Sequence, residues 1–319
     1  MRNGSSALLA EELFLTSGLE VKMNEPLAPY TSIKIGGPAD LFLQINTLSG
    51  LSQTLRLLNQ HKTPFCLLGK GSNVLVSDRG VRGAVLRLGG DFGRVEWRVG
   101  EATASCIAGS AYPIAGLVRQ AVRQGFSGLE FAEGIPATVG GAVVMNAGAY
   151  GAEMEKIVVR VEGLTPKGEE KSFARAELAF SYRATDLPRG FVVTRVCFLL
   201  SQGSAPEMKQ KMRDLLLKRK RSQPAGFPNS GSMFRNPPGD FSGRLIEAAG
   251  LKGKRIGRAE ISPRHANFIV NLGGASATDV RALMELTRAE VKKKFGVELI
   301  REVHLMGDWR HESEANTGA

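Results

Sequence analysis

Two glycine-rich segments have the residue types and spacing to hold a large anionic cofactor such as a dinucleotide. The first, Phe131–Gly151, reads FAEGIPATVGGAVVMNAGAYG and carries no charge from Gly134 to Ala152. Its length approaches the ~20 apolar residues that cross a bilayer. Five glycines and Pro136 make it a poor helix, however, and Asn146 would lack a partner in lipid. A chain folded tightly around a ligand fits better, because glycine lets backbone amides approach that ligand closely. A buried glycine-rich turn is the plain alternative, and a second segment of the same kind weighs against it. Leu67–Asp78, LLGKGSNVLVSD, reads as strand, turn, strand around Gly69, Lys70, Gly71, Ser72 and Asn73. Glycine permits positive φ there, and the serine and asparagine offer hydrogen bonds to phosphate or ribitol oxygens. Alone, this turn also suits an ordinary hairpin. Val74 stands where a Rossmann turn wants glycine, and no G-x-x-x-x-G-K-[ST] occurs.

Reactive side chains outside these segments each have a plain reading. Arg183, in SYRATD after Leu178, Ala179 and Phe180, reads by itself as a surface ion-pair residue. Ser232, in PNSGSMFRNPPGD, sits where serine ordinarily serves a turn, and no G-x-S-x-G elbow surrounds it. Glu302 lies in LIREVHLMG, where alternation puts Ile300, Glu302 and His304 on one face. On a solvated face it is unremarkable; on a buried one it becomes a candidate acid or hydrogen-bond anchor. His61, His265, His304 and His311 form no metal pattern, so no metal site is expected. Cys66, Cys106 and Cys197 are far apart and odd in number, which fits packing residues in a reduced cytoplasm.

The elements that must position these residues follow from composition and periodicity. A chain of 319 residues, 43% apolar and 23% charged, has ordinary globular usage and room for two or three domains. The start, MRNGSSALLAEELF, is interrupted by Glu11 and Glu12 and does not read as a signal peptide. Net charge is +11, with a basic cluster over Lys209–Arg221. Nucleic acid, a membrane surface and a polyanionic small substrate all suit such a cluster, and the scarcity of stacking aromatics puts nucleic acid last. After an extension over 1–19, a first subdomain is expected over 20–88, with a helix buried through Leu48, Leu51, Leu55 and Leu58. A second, over 89–203, is strand-rich around one helix with Ile114, Leu117, Val118, Ala121 and Val122 inward and Gly125 ending it. A polar joint at Gln202–Ala205 leads to a third region, 204–309. It opens with a helix facing Met208, Met212, Leu215 and Leu216 inward. A later helix caps at Ser276 or Thr278, buries Val280, Leu283, Leu286 and Val291, and stops at Gly296. A closing strand spans Val297–Met306, and a disordered tail is expected over 310–319.

Taken in order, seven motifs resemble one family. They are TSIKIGGPAD (Thr31–Asp40), LGKGSNVLVSD, EGIPATVGGAVVMNAGAYG, SYR (Ser181–Arg183), NSGSMFRNP (Asn229–Pro237), AEISPRHANFIVN (Ala259–Asn271) and LIREVHLMG. The chain is similar in this respect to the UDP-N-acetylenolpyruvoylglucosamine reductases, flavoenzymes of bacterial cell-wall synthesis, from about Leu19 to Gly307. The resemblance implies an α+β fold. Two subdomains of the vanillyl-alcohol-oxidase type would enclose FAD, followed by a C-terminal α+β substrate domain. It implies FAD contacts from Gly69, Gly71, Ser72, Asn73, Gly134, Thr138, Gly141, Asn146, Ala147 and Gly148. Neither flavin segment contains a histidine for covalent attachment, so FAD is expected to be non-covalent.

The implied reaction has two halves. NADPH reduces FAD, and hydride then passes to C3 of an enolpyruvyl sugar nucleotide. Arg183 would bind the carboxylate, Ser232 would protonate C2, and Glu302 would stabilise the intermediate or tune that proton transfer. Tyr182, Arg219 and Asn236 match substrate-contacting positions. The chain departs from the family pattern at Thr185, where serine is common, and at Lys70, where glycine is frequent. With 48 residues between Arg183 and Ser232 there is no room for a tyrosine-bearing lid insertion, which implies the shorter branch. A cytoplasmic monomer that binds neither nucleic acid nor membrane is expected, its basic surface drawing in anionic ligands. Two rivals are another flavin oxidoreductase of this fold, such as a sugar or hydroxy-acid oxidase, and a non-catalytic nucleic-acid binder using Lys209–Arg221.

Overall fold

The structure, a computed structural model, describes residues 3–310, so the tail expected to be disordered lies almost wholly outside the described residues. The chain separates into two compact units. One comprises Met1–Met23, Leu41–Lys70 and Gly83–Lys218, the other Asn24–Asp40, Gly71–Arg82 and Arg219–Ala319. Expected boundaries near 88 and 203 follow the sequence linearly, whereas these units interleave it.

In the first unit, helix α1 (Asn3–Phe14) packs Leu9 and Leu13 against α2 (Leu48–Gln60), whose Leu51, Leu55 and Leu58 are fully buried. Thr47 caps α2 by accepting from Gly50 N. Strand Phe65–Leu67 runs parallel to Val81–Leu88 within a four-stranded sheet, with Phe65 opposite Ala84. A larger antiparallel sheet orders Glu170–Ala174, Val158–Leu164, Val192–Gln202, Thr103–Gly109 and Val95–Val99, with Phe126–Ser127 also pairing Val192–Gln202. Against its inner face lies α3 (Ile114–Arg123), which buries Ile114, Leu117, Val118, Ala121 and Val122 as its periodicity requires. Gly125 follows at φ +81, the left-handed conformation that ends a helix cheaply only with glycine.

The glycine segment departs from expectation by containing a short helix, α4 (Val139–Val144), capped by Thr138 accepting from Gly141 N. Burial of Val139, Ala142 and Val143 outweighs glycine's poor propensity. Another correction concerns α5 (Ala205–Ser222), where Met208 and Leu215 are buried but Leu216 is 40% exposed. Leu216 lies about 100° round the helix from Leu215, and the buried face of α5, marked only by Met208 and Leu215, is too narrow to include it.

The second unit is built on an antiparallel sheet ordered Asn229–Ser232, Phe268–Asn271, Ala259–Ile261, Arg255–Ile256. Helices α6 (Ser242–Ala248) and α7 (Ala277–Phe295) cover it through Leu245, Ile246, Val280, Leu283, Met284 and Val291. Ser276 and Asp279 form a capping box at the start of α7, and Gly296 ends it at φ +70. The closing strand is shorter than expected. Only His304–Met306 is regular, pairing in parallel with Val74–Val76, while Arg301 bridges Phe234. The hairpin alternative for Leu67–Asp78 therefore fails, because the strands flanking its turn belong to different sheets.

Candidate active site

In the first unit the two glycine-rich segments meet. A Cβ placed on Gly69 would lie 3.0 Å from Thr138 Oγ1, while one on Gly141 would meet nothing closer than the same oxygen at 3.4 Å. The backbone leading into α4 is held from below, with Val139 N donating to Tyr112 O and Gly140 N to Ser110 O. Gly140 is needed for that packing, since its Cβ would come within 2.8 Å of Ser110 Cβ. Gly69, Thr138 and Gly141 thus form a side-chain-poor surface around one hydroxyl. Beyond α4 the groups are spent differently. Asn146 is fully buried, and Gly148 could not carry a Cβ, which would stand 2.7 Å from Ala152 O. Ala147 N donates to Ala142 O and Ala147 O accepts from Met154 N. These three residues serve the chain's own closure, and Gly134 adopts φ +81 at the segment's start.

Arg183 occupies the second turn position of a tight hairpin, with Phe180 opposite Thr185 and Ser181 opposite Ala184. It takes φ +60, an uncommon left-handed conformation for a side chain of this size. Its Nη2 donates to Gly148 O at 3.1 Å, and its guanidinium lies 4.9 Å from the centre of the Tyr182 ring. Tyr182 itself is 42% exposed. Thr185 donates its hydroxyl to Val143 O at 2.6 Å, a bond serine could also make, so that departure from the family pattern keeps the group that matters.

The second unit gathers its own set. Ser32 donates through both N and Oγ to Gly71 O, and its Oγ also reaches Asn229 O at 2.7 Å. Gly71 sits at φ +64 with Tyr30 O where a Cβ would project, so this glycine is required by the chain itself. Ser230 donates to Val74 O, and Gly231, at φ +73, breaks the strand's register just before half-buried Ser232. Asn267 clamps the far side. It accepts from Phe234 N, donates to Phe234 O, and its carbonyl receives Met233 N. Glu302 N donates to Met233 O at 2.8 Å, and Asn73 Nδ2 donates to Glu302 O at 3.2 Å. Ser232, Glu302 and the Ser72–Asn73 turn are thereby brought into one assembly. Asn236 accepts from Ser242 N at the start of α6, and Arg219 is half-buried in the last turn of α5. Burial, followed by the Arg235 charge, lowers the His304 pKa. No cluster of three metal-ligating side chains occurs among the described residues.

Comparison with known proteins bears on this arrangement. Residues 223–306 match the C-terminal domain of UDP-N-acetylenolpyruvoylglucosamine reductase, and residues 39–173 match an FAD-binding domain. UDP-N-acetylenolpyruvoylglucosamine reductase 2 of Symbiobacterium thermophilum is 44% identical over 90% of this chain and 92% of its own length. The reductase of Anaeromyxobacter sp. (strain Fw109-5) is 46% identical over 92% and 91%. The chain belongs to the UDP-N-acetylenolpyruvoylglucosamine reductase family. The crystal structure of the reductase from Thermus caldophilus superposes with a TM-score of 0.77 at 38% identity, covering 90% of this chain and 98% of that one. A likeness in fold alone extends to BBE-like 1 of Physcomitrella patens, with a TM-score of 0.55 at 10% identity, over 89% and 88%.

As a family member the chain is an FAD-dependent oxidoreductase, and the residues present fit the cofactor. Gly69 and Gly141 are exposed and put no side chain over the surface beside Thr138, which lets a flat ligand lie close to the backbone there. One buried group in the FAD-binding domain escaped the sequence reading. Glu133 is 5% exposed, its Oε2 has no hydrogen-bond partner, and its Oε1 lies 3.3 Å from Arg119. Burial raises its pKa, opposed by the Arg119 charge. Its one signal in the sequence was an acid, with Glu130 three residues before it, at the edge of a long uncharged run. Tertiary burial, which local pattern does not report, makes it unusual.

Proposed function

We propose that this chain reduces UDP-N-acetylglucosamine enolpyruvate to UDP-N-acetylmuramate with NADPH, a step in peptidoglycan precursor synthesis. FAD, which Gly69, Thr138 and Gly141 would help to hold, would supply the hydride chemistry between NADPH and the enolpyruvyl C3. The chain's own residues manage charge and protons around that transfer. Arg183 binds the substrate carboxylate through its planar fork and stabilises the negative charge that grows there. Ser232 delivers a proton to C2. A neutral hydroxyl is a weak acid, and a positioned, water-poor site makes it competent toward a carbanionic carbon. Glu302 stabilises the intermediate or tunes that proton transfer, and Arg219, Tyr182 and Asn236 hold the sugar nucleotide.

The observation that carries this reading is the placement of Glu302 beside the serine strand, its N–H bonded to the carbonyl of Met233, next to Ser232. A flavoprotein oxidase would need a base to take a proton from its substrate, whereas this reduction needs a donor to give one to the substrate carbon. The test is an absorbance spectrum of the purified protein followed by NADPH oxidation with and without the enolpyruvyl sugar nucleotide. A yellow protein whose NADPH turnover depends on that substrate supports the reading. A colourless protein from FAD-replete cells, or turnover indifferent to the substrate, overturns it.

A further inference from the structure

Asn146 ends α4 in an unusual way. Ala147 N donates to Ala142 O and Asn146 N to Val143 O, with Asn146 at φ +38. This is the Schellman arrangement, in which the left-handed position just past the helix is ordinarily glycine. In a segment already rich in glycine, closing the helix does not explain an asparagine. Its side chain does. Oδ1 accepts from Glu155 N at 3.1 Å, and Nδ2 donates to Glu153 Oε2 at 2.8 Å and to Ser181 O at 3.1 Å. Both amide hydrogens are used inside the protein, and the residue has no exposed surface.

Ser181 is the last strand residue before the Tyr182–Arg183 turn, and two further bonds tie the same hairpin to the same segment. Thr185 Oγ1 donates to Val143 O, and Arg183 Nη2 donates to Gly148 O. Residues 143, 146 and 148 thus grip 185, 181 and 183. One of these bonds belongs to the guanidinium itself. We infer that Asn146 is a positioning residue for Arg183, its buried amide fixing the turn from which the guanidinium projects. This role rests on the carboxylate-binding reading of Arg183 given above. Arg183 is held at φ +60, so a turn released from Ser181 can relax toward more populated backbone angles and carry the guanidinium away.

The test uses the FAD-loaded full chain and measures flavin content, flavin reduction by NADPH, and reoxidation by the enolpyruvyl substrate. Asn146→Gly keeps the left-handed backbone and deletes only the amide. We expect normal FAD content and normal reduction, with reoxidation slowed about 10- to 100-fold and a raised substrate KM, as for a group displaced by about 1 Å. If Asn146→Gly does not fold, Asn146→Asp combined with Glu153→Gln keeps a hydrogen bond between 146 and 153 and loses the donor to Ser181 O. The same selective defect is expected. Loss of FAD, or equal slowing of both halves, overturns the inference by making Asn146 a cofactor or purely structural residue. Wild-type reoxidation overturns it as well. Arg183→Ala separates the two levels. If Arg183→Ala reoxidises normally, the carboxylate reading fails; if it is slow while both Asn146 variants are normal, only the positioning role fails.

Discussion

The glycine block around α4 and the serine strand around Ser232 hold their loops still by opposite means. In the first, backbone closes on backbone. Gly140 packs on Ser110, Gly148 packs on Ala152, and one buried asparagine joins the end of α4 to the Arg183 hairpin. In the second, short polar side chains reach across to carbonyls, as Ser32 does to Asn229, Ser230 to Val74 and Asn73 to Glu302. The first design leaves bare backbone at Gly69 and Gly141, suited to a flat, charged cofactor. The second leaves a polar environment suited to a proton.

The largest effect that sharpens this contrast is expected at Ser232. Ser232→Ala should leave flavin reduction by NADPH nearly intact and slow reoxidation by substrate by about 10²–10⁴-fold, the usual worth of a general acid. Ser232→Cys should retain more activity than alanine, since a thiol also yields a proton. Stopped-flow absorbance of the two halves decides, and equal slowing would return Ser232 to a turn role. Next comes Arg219. Arg219→Ala should raise the substrate KM by roughly one to two decades, matching the ~1.5–3 kcal/mol of a charge-assisted bond, at unchanged FAD content. An unchanged KM sends Arg219 back to its helix surface.

A smaller effect is expected in the glycine block. A Cβ at Gly141 would meet only Thr138, so Gly141→Val should change the thermal stability of the FAD-free chain little. FAD affinity should drop by the ~1–3 kcal/mol typical of overpacking. A variant that keeps its flavin would show that the open glycine faces solvent alone. FAD should be released from wild type by acid denaturation, and flavin remaining in the pellet would contradict non-covalent binding.

The smallest effect concerns Glu133, whose folded pKa lies above the ordinary value of 4.5 because burial penalises its charge. Below 4.5 the acid is neutral whether folded or unfolded and costs nothing. As pH rises from there toward the folded pKa, the unfolded state ionises more readily and stability falls. Glu133→Gln should therefore raise Tm by roughly 2–4 °C at pH 8 if it restores ~1 kcal/mol, with the gain vanishing below pH 4.5. A gain independent of pH would point to packing rather than charge.

Much of the fold was legible because its signals are local. Helix α3 with Gly125 behind it, α2 with its leucine face, and α7 between Ser276 and Gly296 follow from periodicity and capping. The family was legible because seven short motifs keep one order, whatever the weakness of each. Less legible were α4, where burial overrode propensity, and the closing strand, where pairing reaches only His304–Met306. For the candidate site, the family resemblance marked Gly69, Thr138, Gly141, Arg183, Ser232 and Glu302 without showing what each touches.

The sequence by itself determined where helices cap, where glycine must bend the chain, and which ordered motifs a flavoenzyme family shares. Each depends on residues close together in the chain. Only the tertiary structure decided that Gly71 and Gly148 have no room for a side chain, that Asn146 spends its amide on Ser181 and Glu153, and that Glu133 is buried. Those outcomes depend on which backbone groups arrive from distant segments. A hydrogen bond between residue 146 and residue 181, or a carbonyl of Tyr30 against Gly71, leaves no local periodic trace.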